Sequence, residues 1–271
     1  MLEVHTWEVN SNSGKPLIFL KEKGVDFDYH YVDVLKFEQH QPGYLQLNPD
    51  GTVPTVIHDG KVMTESTQAL QYLDAVLPGP CFTPEDPPHL DERYPEPRLA
   101  PDDAAHLYDV QAWAAWLGGA MGGIGTDVRL LGWNLVMLNA IPKNELAEFR
   151  KRVAALPKQL PSGWSAVWSD AEASEDQLAN ARERIQKIIG RIEQALADTG
   201  WMVSNHYSIT DITAFAYIHT LPELLPEMVN RETTPNIVKW LEAINSRPAV
   251  RYALALRKST IAKDVYPAPG T

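Results

Sequence analysis

A proline-rich segment divides this chain into two unlike parts. Eight prolines fall within residues 77–101 of the 271-residue sequence. Because proline lacks a backbone N–H and its ring clashes with the preceding turn, a segment this dense in proline cannot form regular helix. We therefore expect an extended linker over 79–101, between a first unit at 1–78 and a second unit at 102–271.

The first unit alternates strands and helices. Period-two alternation of apolar and polar residues indicates strands, and the segments between them show helical patterns. A β-α-β order favours parallel pairing with a right-handed crossover, and the Asp-Gly pair in "HDGK" is typical of a hairpin turn. The predicted elements are a strand at 2–8, a helix at 14–23, a strand at 27–33, mixed helical signals at 36–47, two short strands within 52–64 and a helix at 65–78.

The second unit contains only helical patterns. Its first helix is rich in Ala, Leu and Trp, and the later ones are charged and periodic. The predicted helices lie at 102–120, 143–156, 175–198, 210–225 and 235–246. The fold class is therefore α/β plus all-α, with the α/β domain first in the chain.

Charge and cysteine content narrow the range of partners. The formal net charge is −11, which argues against a nucleic acid or an anionic membrane as a partner. The single cysteine, Cys81, excludes an internal disulfide and a C-x-x-C redox pair. No stretch approaches the roughly 18 apolar residues of a membrane span. We expect a soluble protein of the reducing cytoplasm.

A polar turn, "NSNS" at 10–13, joins the first strand to the first helix. The N-terminus of a helix carries unpaired N–H donors and a partial positive charge, so it can hold an anion such as a thiolate. The side chains of Ser11, Asn12 and Ser13 can each donate a hydrogen bond there. Taken alone, the turn suits a simple N-cap better than a ligand site, because Ser and Asn favour that role.

Two further boundaries have chemistry-bearing residues. Val53-Pro54 in "TVPT" stands at the head of a strand, where an ordinary trans proline is the default. Glu65 and Ser66 in "TEST" begin a helix, where the acid can pair with an ammonium group and the hydroxyl can bind a carboxylate. A capped helix without any ligand is the alternative for this second pair.

The order and spacing of these stretches resemble the glutathione transferase superfamily. The first unit looks like its thioredoxin-like domain, and the linker and helical unit extend the resemblance over nearly the whole chain. The stretches "NSGKPLIFLKEKGVDF", "VDVLKFEQH" and "LNPDGTVPTVIHDGKVMTEST" are most similar to bacterial β-etherases, which cleave aryl ethers from lignin, in the branch with Asn-Ser at the active-site turn. The turn has neither Tyr nor Cys, which disfavours tyrosine-type transferases and cysteine-type thiol transferases.

The resemblance implies a role for each matching residue, with glutathione as co-substrate. Ser13 would face the sulfur, helped by Asn12, with Ser11 as the alternative serine. The cysteinyl backbone would pair with Val53, before a cis Pro54. The remaining glutathione contacts that the resemblance implies are Glu65 and Ser66 for the γ-glutamyl end, and Gln39 and His40 for the glycyl carboxylate.

A bulky aromatic ether is the expected second substrate. The candidate pocket residues are Trp113, Trp116, Met121, Trp133, Trp164, Trp168 and Tyr217, with the glycines of 117–125 leaving room for a ring. Most of these aromatics should be core. His106 and His219 are expected to be packed or surface histidines, and no residue cluster has the spacing of a metal site.

The expected reaction is thiolate displacement of a phenolate from the β-aryl ether, leaving a glutathione thioether. Two alternatives stay open: a general glutathione transferase that acts on other electrophiles, and a partner subunit that keeps the fold. The family implies a dimer, either a homodimer or a heterodimer with a homologue. Ser208 and Asp211 have capping-box spacing and are expected to serve folding rather than catalysis.

Overall fold

A four-stranded mixed sheet organises the first part of the chain in a computed structural model of the protein. The structure describes residues 1–9, 11–77, 104–118, 124–133, 141, 143–155, 174–203 and 206–258. The sheet has the order β2-β1-β3-β4, with β1 at Leu2–Thr6, β2 at Asp28–Tyr31, β3 at Thr55–His58 and β4 at Lys61–Met63.

Strand pairing follows the sequence prediction. β1 and β2 are parallel, whereas β3 pairs antiparallel with β1 and β4 pairs antiparallel with β3. Alternate residues of β1 are buried, as the alternation predicted. β1 ends at Thr6 rather than at residue 8, because the chain then curls so that the Thr6 hydroxyl donates to the Ser13 carbonyl at 3.0 Å.

Three helices pack with this sheet. α1 spans Gly14–Glu22, α2 spans Pro42–Leu47 and α3 spans Ser66–Val76. The mixed helical signals at 36–47 correspond to a short 3₁₀ helix, Glu38–His40, followed by α2. The predicted thioredoxin-like arrangement of this domain is confirmed.

The rest of the described chain is mainly helical, as predicted, and it includes helices at Ile124–Val128 and Pro248–Ala255 that the sequence analysis did not predict. The predicted helix at 210–225 is divided in two, because Pro222 has no N–H to continue the first helix. Among the described helices, none is long and apolar enough to cross a membrane. The helices are α4 at Ala104–Gly118, α5 at Ile124–Val128, α6 at Leu146–Ala154, α7 at Glu175–Thr199, α8 at Ile209–Ile218, α9 at Leu221–Leu224, α10 at Pro235–Asn245 and α11 at Pro248–Ala255.

Buried ion pairs fix α1, the helix that begins at the predicted thiolate turn. Arg247 donates two hydrogen bonds to the Glu22 carboxylate, at 2.6 and 2.7 Å, and so ties α1 to the start of α11. Lys23 donates to Asp74 of α3 at 3.1 Å. Because bidentate charged pairs restrict orientation as well as distance, these contacts hold α1 between the sheet domain and the helical part.

The predicted capping box at the start of α8 is present. The Asp211 carboxylate accepts from the Trp240 indole N–H at 2.8 Å, from the Met202 N–H at 3.1 Å, and from both the N–H and the hydroxyl of Ser208 at 2.9 and 3.0 Å. Burial raises the pKa of Asp211 to about 6, and the hydrogen bonds oppose that rise. These contacts assign both residues to folding, as the spacing predicted.

We expect Asp211→Asn to lower the free energy of unfolding by about 3 kcal/mol. The substitution replaces one of the two acceptor oxygens by an NH2 group, which is itself a donor and cannot accept the hydrogen bonds that this oxygen receives. Urea unfolding followed by circular dichroism measures this loss. Asp198→Asn, at an exposed site in α7, is the matched control and should stay within about 0.5 kcal/mol of the parent. Equal stability of the two variants would contradict the role given to Asp211.

Candidate active site

The four segments that were predicted to bind glutathione all lie at one edge of the sheet. Neighbouring strands end or begin there because of their register, so the segments that follow or precede them leave the sheet together. Those segments are 11–13 after β1, 33–40 after β2, 52–54 before β3 and 64–66 after β4. The pairs at this edge are Thr6 with Tyr31, His5 with Thr55 and Val56 with Met63.

The predicted thiolate turn, Ser11–Ser13, is a 3₁₀ helix that runs directly into α1. Ser13 stands at the N-cap position but its side chain makes no cap hydrogen bond. The residue is buried, with 4% of its surface exposed. The capping interpretation therefore does not account for Ser13, and its hydroxyl remains available to a ligand. The side chain of Ser11 lies outside the described part of the structure.

Asn12 is held by a residue that is distant in sequence. The Tyr217 hydroxyl, from the buried helix α8, donates to Asn12 Oδ1. This contact fixes the amide by its oxygen. Among the described residues the structure shows no partner for Asn12 Nδ2, which is the hydrogen-bond donor of the amide.

The Val53–Pro54 peptide bond is cis, as the resemblance implied. Pro54 is buried and Val53 is half-buried. The preceding turn is tied down by Tyr44 and Asn48, which donate to the Thr52 carbonyl at 2.6 and 2.9 Å. The backbone of this segment therefore has a fixed position beside the thiolate turn.

Glu65 and Ser66 stand together where α3 begins. Glu65 occupies the N-cap position, but its side chain makes no cap hydrogen bond and is exposed. Ser66 is buried at the first helical position. An exposed carboxylate next to a hydroxyl and free helix N–H groups can bind an ammonium and a carboxylate of one ligand.

Gln39 and His40 lie against the turn that precedes Val53. A methyl group on Gly51 would come within 2.6 Å of His40 Nδ1 and 3.2 Å of the Gln39 carbonyl oxygen. Gln39 Oε1 and His40 Nε2 are buried and have no hydrogen-bond partner among the described residues. Burial lowers the pKa of His40. The two residues are thus at the correct edge of the sheet, although their contact with a ligand stays a prediction.

Lys15 is a site residue that the sequence analysis missed. Only 1% of its surface is exposed, and its Nζ donates to Thr67 Oγ1 at 3.1 Å and to the Tyr217 hydroxyl at 3.5 Å. Burial lowers the pKa of Lys15 to about 7, and the charge of Glu65 opposes this shift. Lys15 therefore connects the starts of α1 and α3 with the C-terminal end of α8. A cation in the first turn of a helix is disfavoured by the helix dipole, and that was the signal available in the sequence.

Two of the glycines that were predicted to make room for a substrate ring, Gly118 and Gly125, are described in the structure, and both lie against Tyr217. A methyl group on Gly125 would lie 2.6 Å from Tyr217 Cε1, and one on Gly118 would lie 3.1 Å from the Tyr217 hydroxyl. At Gly118 and Gly125 the ring of Tyr217 therefore takes the space predicted for a substrate ring, and the remaining glycines of 117–125 lie outside the described residues. Tyr217 itself is core and only its hydroxyl reaches the site.

The other predicted pocket aromatics divide into described and undescribed positions. Trp113 is buried, and the 42% exposed Trp116 packs edge-on against it with ring centroids 5.2 Å apart. Both belong to α4, which contacts α8. The side chains of Trp133 and His106, together with Cys81, Met121, Trp164, Trp168 and the linker at 79–101, lie outside the described residues.

His219 is a packed histidine, as expected. Its ring stacks on Phe215 with centroids 4.7 Å apart, and Nδ1 lies 2.8 Å from the Phe215 carbonyl oxygen. Burial lowers the pKa of His219 to about 4, so the ring is neutral near pH 7. It borders a cleft of about 450 Å³ whose other walls come from α9, α10 and α11 rather than from the edge of the sheet.

One described group has the residue types of a metal site, contrary to the expectation from the sequence. Glu3, His5 and His30 place ligand atoms within 4.8 Å of one another on β1 and β2. The two imidazoles, however, stack with centroids 4.3 Å apart and only 11° between their planes. Their in-plane lone pairs therefore run side by side instead of converging on one ion, and Glu3 Oε2 lies 3.3 Å from His5 Nε2.

Comparison with known proteins places this site in a family. The glutathione S-transferase N-terminal domain model matches residues 11–76, and the glutathione S-transferase C-terminal domain model matches residues 155–248. Protein LigF of Sphingobium sp. (strain NBRC 103272 / SYK-6) is 30% identical over 260 residues, which cover 92% of this chain and 91% of LigF. Glutathione S-transferase 1 of Dianthus caryophyllus is 33% identical over 85 residues, which cover 31% of this chain and 38% of that protein.

The solved structures agree. The crystal structure of β-etherase LigF from Sphingobium sp. strain SYK-6 has a TM-score of 0.73 at 27% identity, over 94% of this chain and 98% of that chain. A glutathione transferase from Burkholderia graminis, solved with two glutathione molecules bound per subunit, has the same fold, with a TM-score of 0.63 at 23% identity over 95% of this chain and 88% of that chain. The chain therefore belongs to the glutathione S-transferase family.

Proposed function

We propose that this protein is a glutathione-dependent β-etherase that cleaves the β-aryl ether bond of lignin-derived aromatics. The observation that carries the proposal is the extent of the similarity to LigF, which spans both the sheet domain and the helical part. Sequence similarity to glutathione S-transferase 1 of Dianthus caryophyllus covers only 31% of the chain. Because we expect the second-substrate pocket in the helical part, similarity there bears on the substrate as well as on glutathione.

Glutathione is the proposed co-substrate, held along the edge of the sheet. Glu65 pairs with its α-ammonium group, and Ser66 with the N–H groups of α3 binds its α-carboxylate. The backbone of Val53, before Pro54, pairs with the cysteinyl residue. The glycyl carboxylate is assigned to Gln39 and His40 on the neighbouring segment, where the buried His40 Nε2 has no partner among the described residues and can donate as an N–H.

The catalytic role belongs to Ser13 and Asn12. A free thiol has a pKa of about 8.5, so only a few per cent is thiolate at pH 7. Donation from the Ser13 hydroxyl and the Asn12 amide, together with the N-terminus of α1, would stabilise the thiolate. Two charge-assisted hydrogen bonds of about 1.5–3 kcal/mol each are sufficient to lower the thiol pKa by one unit or more.

Displacement then follows in line. The thiolate attacks the carbon that bears the aryl ether oxygen, the C–S bond forms as the C–O bond breaks, and the electron pair leaves with the phenolate. The phenolate takes a proton from solvent, and a glutathione thioether remains. Backside attack inverts the configuration of the carbon.

The proposed assembly is a dimer in the cytoplasm. Family membership supports a two-fold dimer, formed by two copies of this chain or by this chain and a homologue. A reducing compartment keeps glutathione as the thiol that this reaction consumes, which supports the cytoplasm as the setting.

Phenol release tests the function. The protein is incubated with each enantiomer of a guaiacyl β-aryl ether, with and without glutathione, and the released phenol is quantified by chromatography. We expect glutathione-dependent release from one enantiomer at least. Activity on halogenated or epoxide electrophiles without any ether cleavage would favour the general transferase. Inactivity on all of them, with glutathione still bound, would favour the partner subunit.

Glu65→Gln should weaken glutathione binding about 10- to 100-fold, because the neutral amide cannot pair with the α-ammonium group. Isothermal titration calorimetry measures the dissociation constant. Glu232→Gln removes the same charge from an exposed position remote from the edge of the sheet and should leave affinity unchanged. An unchanged affinity in Glu65→Gln would overturn the γ-glutamyl assignment.

A further inference from the structure

Four side chains from three distant parts of the chain form a continuous hydrogen-bonded path at the site. Lys15 Nζ lies 3.5 Å from the Tyr217 hydroxyl, and that hydroxyl donates to Asn12 Oδ1. Lys15 Nζ also donates to Thr67 Oγ1 at 3.1 Å, next to Ser66. The path therefore reaches two of the four segments assigned to glutathione, 11–13 and 64–66, although Lys15 and Tyr217 are not among the glutathione-binding residues that the resemblance implied.

The direction of the hydrogen bonds determines how the Asn12 amide is turned. The Lys15 ammonium has donors only, and the neutral amine that burial favours above about pH 7 keeps two N–H donors, so in either form Lys15 can donate to a lone pair of the Tyr217 oxygen. The hydroxyl proton of Tyr217 must then point away from Lys15, and the atom it meets must be an acceptor. Asn12 meets this requirement with its oxygen, which leaves Nδ2 as the free end of the amide.

The position of Tyr217 is itself fixed by packing. Only 2% of its surface is exposed, and Lys15 Nζ lies 4.9 Å from the centre of its ring. The Tyr217 side chain packs directly against Gly118 and Gly125, so that neither position has room for a side chain of its own. A side chain so tightly enclosed can hold a second side chain in one orientation at little further entropic cost.

We propose that Lys15 and Tyr217 are positioning residues that turn the Asn12 amide so that Nδ2 faces the sulfur of bound glutathione. This inference rests on the proposed function of Asn12 in stabilising the thiolate. It extends that function by assigning the orientation of Asn12 to a residue of the helical part. Binding of the thiolate then depends on the packing of α8 against the sheet domain, because the Tyr217 hydroxyl group connects the two.

Tyr217→Phe tests this inference, because it removes the hydroxyl and keeps the ring. The readout is the pKa of enzyme-bound glutathione, measured as ultraviolet thiolate absorbance against pH, which needs no ether substrate. We expect the bound thiol pKa to rise by about one unit, kcat to fall about 10- to 100-fold, and the affinity for glutathione to change less than about threefold. Tyr207→Phe removes a hydroxyl from another buried tyrosine, which packs on Trp201 and Arg247, and should change none of these values.

A double-mutant cycle separates positioning from a general structural effect. If Tyr217 acts through Asn12, Tyr217→Phe should have no further effect on the bound thiol pKa when Asn12 is already alanine. An unchanged thiol pKa in Tyr217→Phe, additive effects in the double variant, or no glutathione bound by the parent protein would each overturn the inference. A parent protein that binds glutathione as thiolate but releases no phenol would overturn the proposed β-etherase function and leave the positioning role standing.

Discussion

Ser13→Ala is expected to reduce kcat for ether cleavage about 10- to 150-fold, the equivalent of one charge-assisted hydrogen bond of about 1.5–3 kcal/mol. The hydroxyl is buried at the start of α1 and makes no cap hydrogen bond. Its removal therefore takes a donor from the thiolate without removing support from the helix. The pKa of bound glutathione should rise by about one to two units, so that the loss is largest at neutral pH and partly recovered at alkaline pH.

Calorimetry and a pH–rate profile check this result together. The dissociation constant of glutathione should change little, because the γ-glutamyl and cysteinyl contacts are untouched. Ser246→Ala, in the turn after α10, is a matched control with an expected kcat equal to that of the parent. A Ser13→Ala variant with the parent's kcat at neutral pH would reject Ser13 as the thiolate partner and would turn attention to Ser11.

Lys15→Met is expected to move stability and activity in opposite directions. Burial lowers the pKa of Lys15 to about 7 in the folded protein, against an ordinary value of 10.5 for lysine. Below pH 7 the folded protein must hold a buried charge, so we expect an apolar replacement of similar size to stabilise the fold by about 1–3 kcal/mol at pH 6. The bound thiol pKa should rise and kcat should fall, since Tyr217 loses the donor that directs its hydroxyl proton towards Asn12.

The stability difference between Lys15→Met and the parent should also change with pH in a definite direction. Between pH 7 and 10.5 the unfolded parent carries a proton on Lys15 that the folded parent has lost, so rising pH stabilises the folded parent. The advantage of Lys15→Met should therefore shrink through this window, with a slope of up to about 1.4 kcal/mol per pH unit. Urea unfolding at several pH values measures it, with the exposed Lys151→Met as the control. A variant that is less stable than the parent at pH 6, or an advantage independent of pH, would contradict the account of Lys15.

Local patterns predicted most of the sheet domain. The alternation in 2–8 and 27–33, the Asp-Gly turn and the polar helix starts each depend on neighbours in the chain, and the structure contains the corresponding strands, hairpin and helices. The end of β1 was predicted two residues too late, because a tertiary contact from Thr6 to Ser13 closes the turn. The division of 210–225 into α8 and α9 was missed although Pro222 stood in the sequence.

The contacts around Asn12 could not be predicted in the same way. Lys15 and Tyr217 are separated by 202 residues, and nothing in either local pattern indicates that they meet. Lys15 stands in the first turn of a predicted helix, next to a polar turn, where a lysine is normally solvated. Tyr217 stands in an apolar helix, where a tyrosine is normally core. Only the packing of α8 on the start of α1 reveals that one buried hydroxyl joins the helical part to the predicted thiolate site.

The configuration of the product tests the central claim most directly. A single reactive enantiomer of the β-aryl ether is incubated with the protein and glutathione, and the thioether is analysed by chiral chromatography with the phenol counted alongside. Displacement by a thiolate held at the Asn12–Ser13 turn predicts one thioether per phenol, with the configuration of the carbon inverted. Retention of configuration, or phenol release without a glutathione thioether, would contradict it.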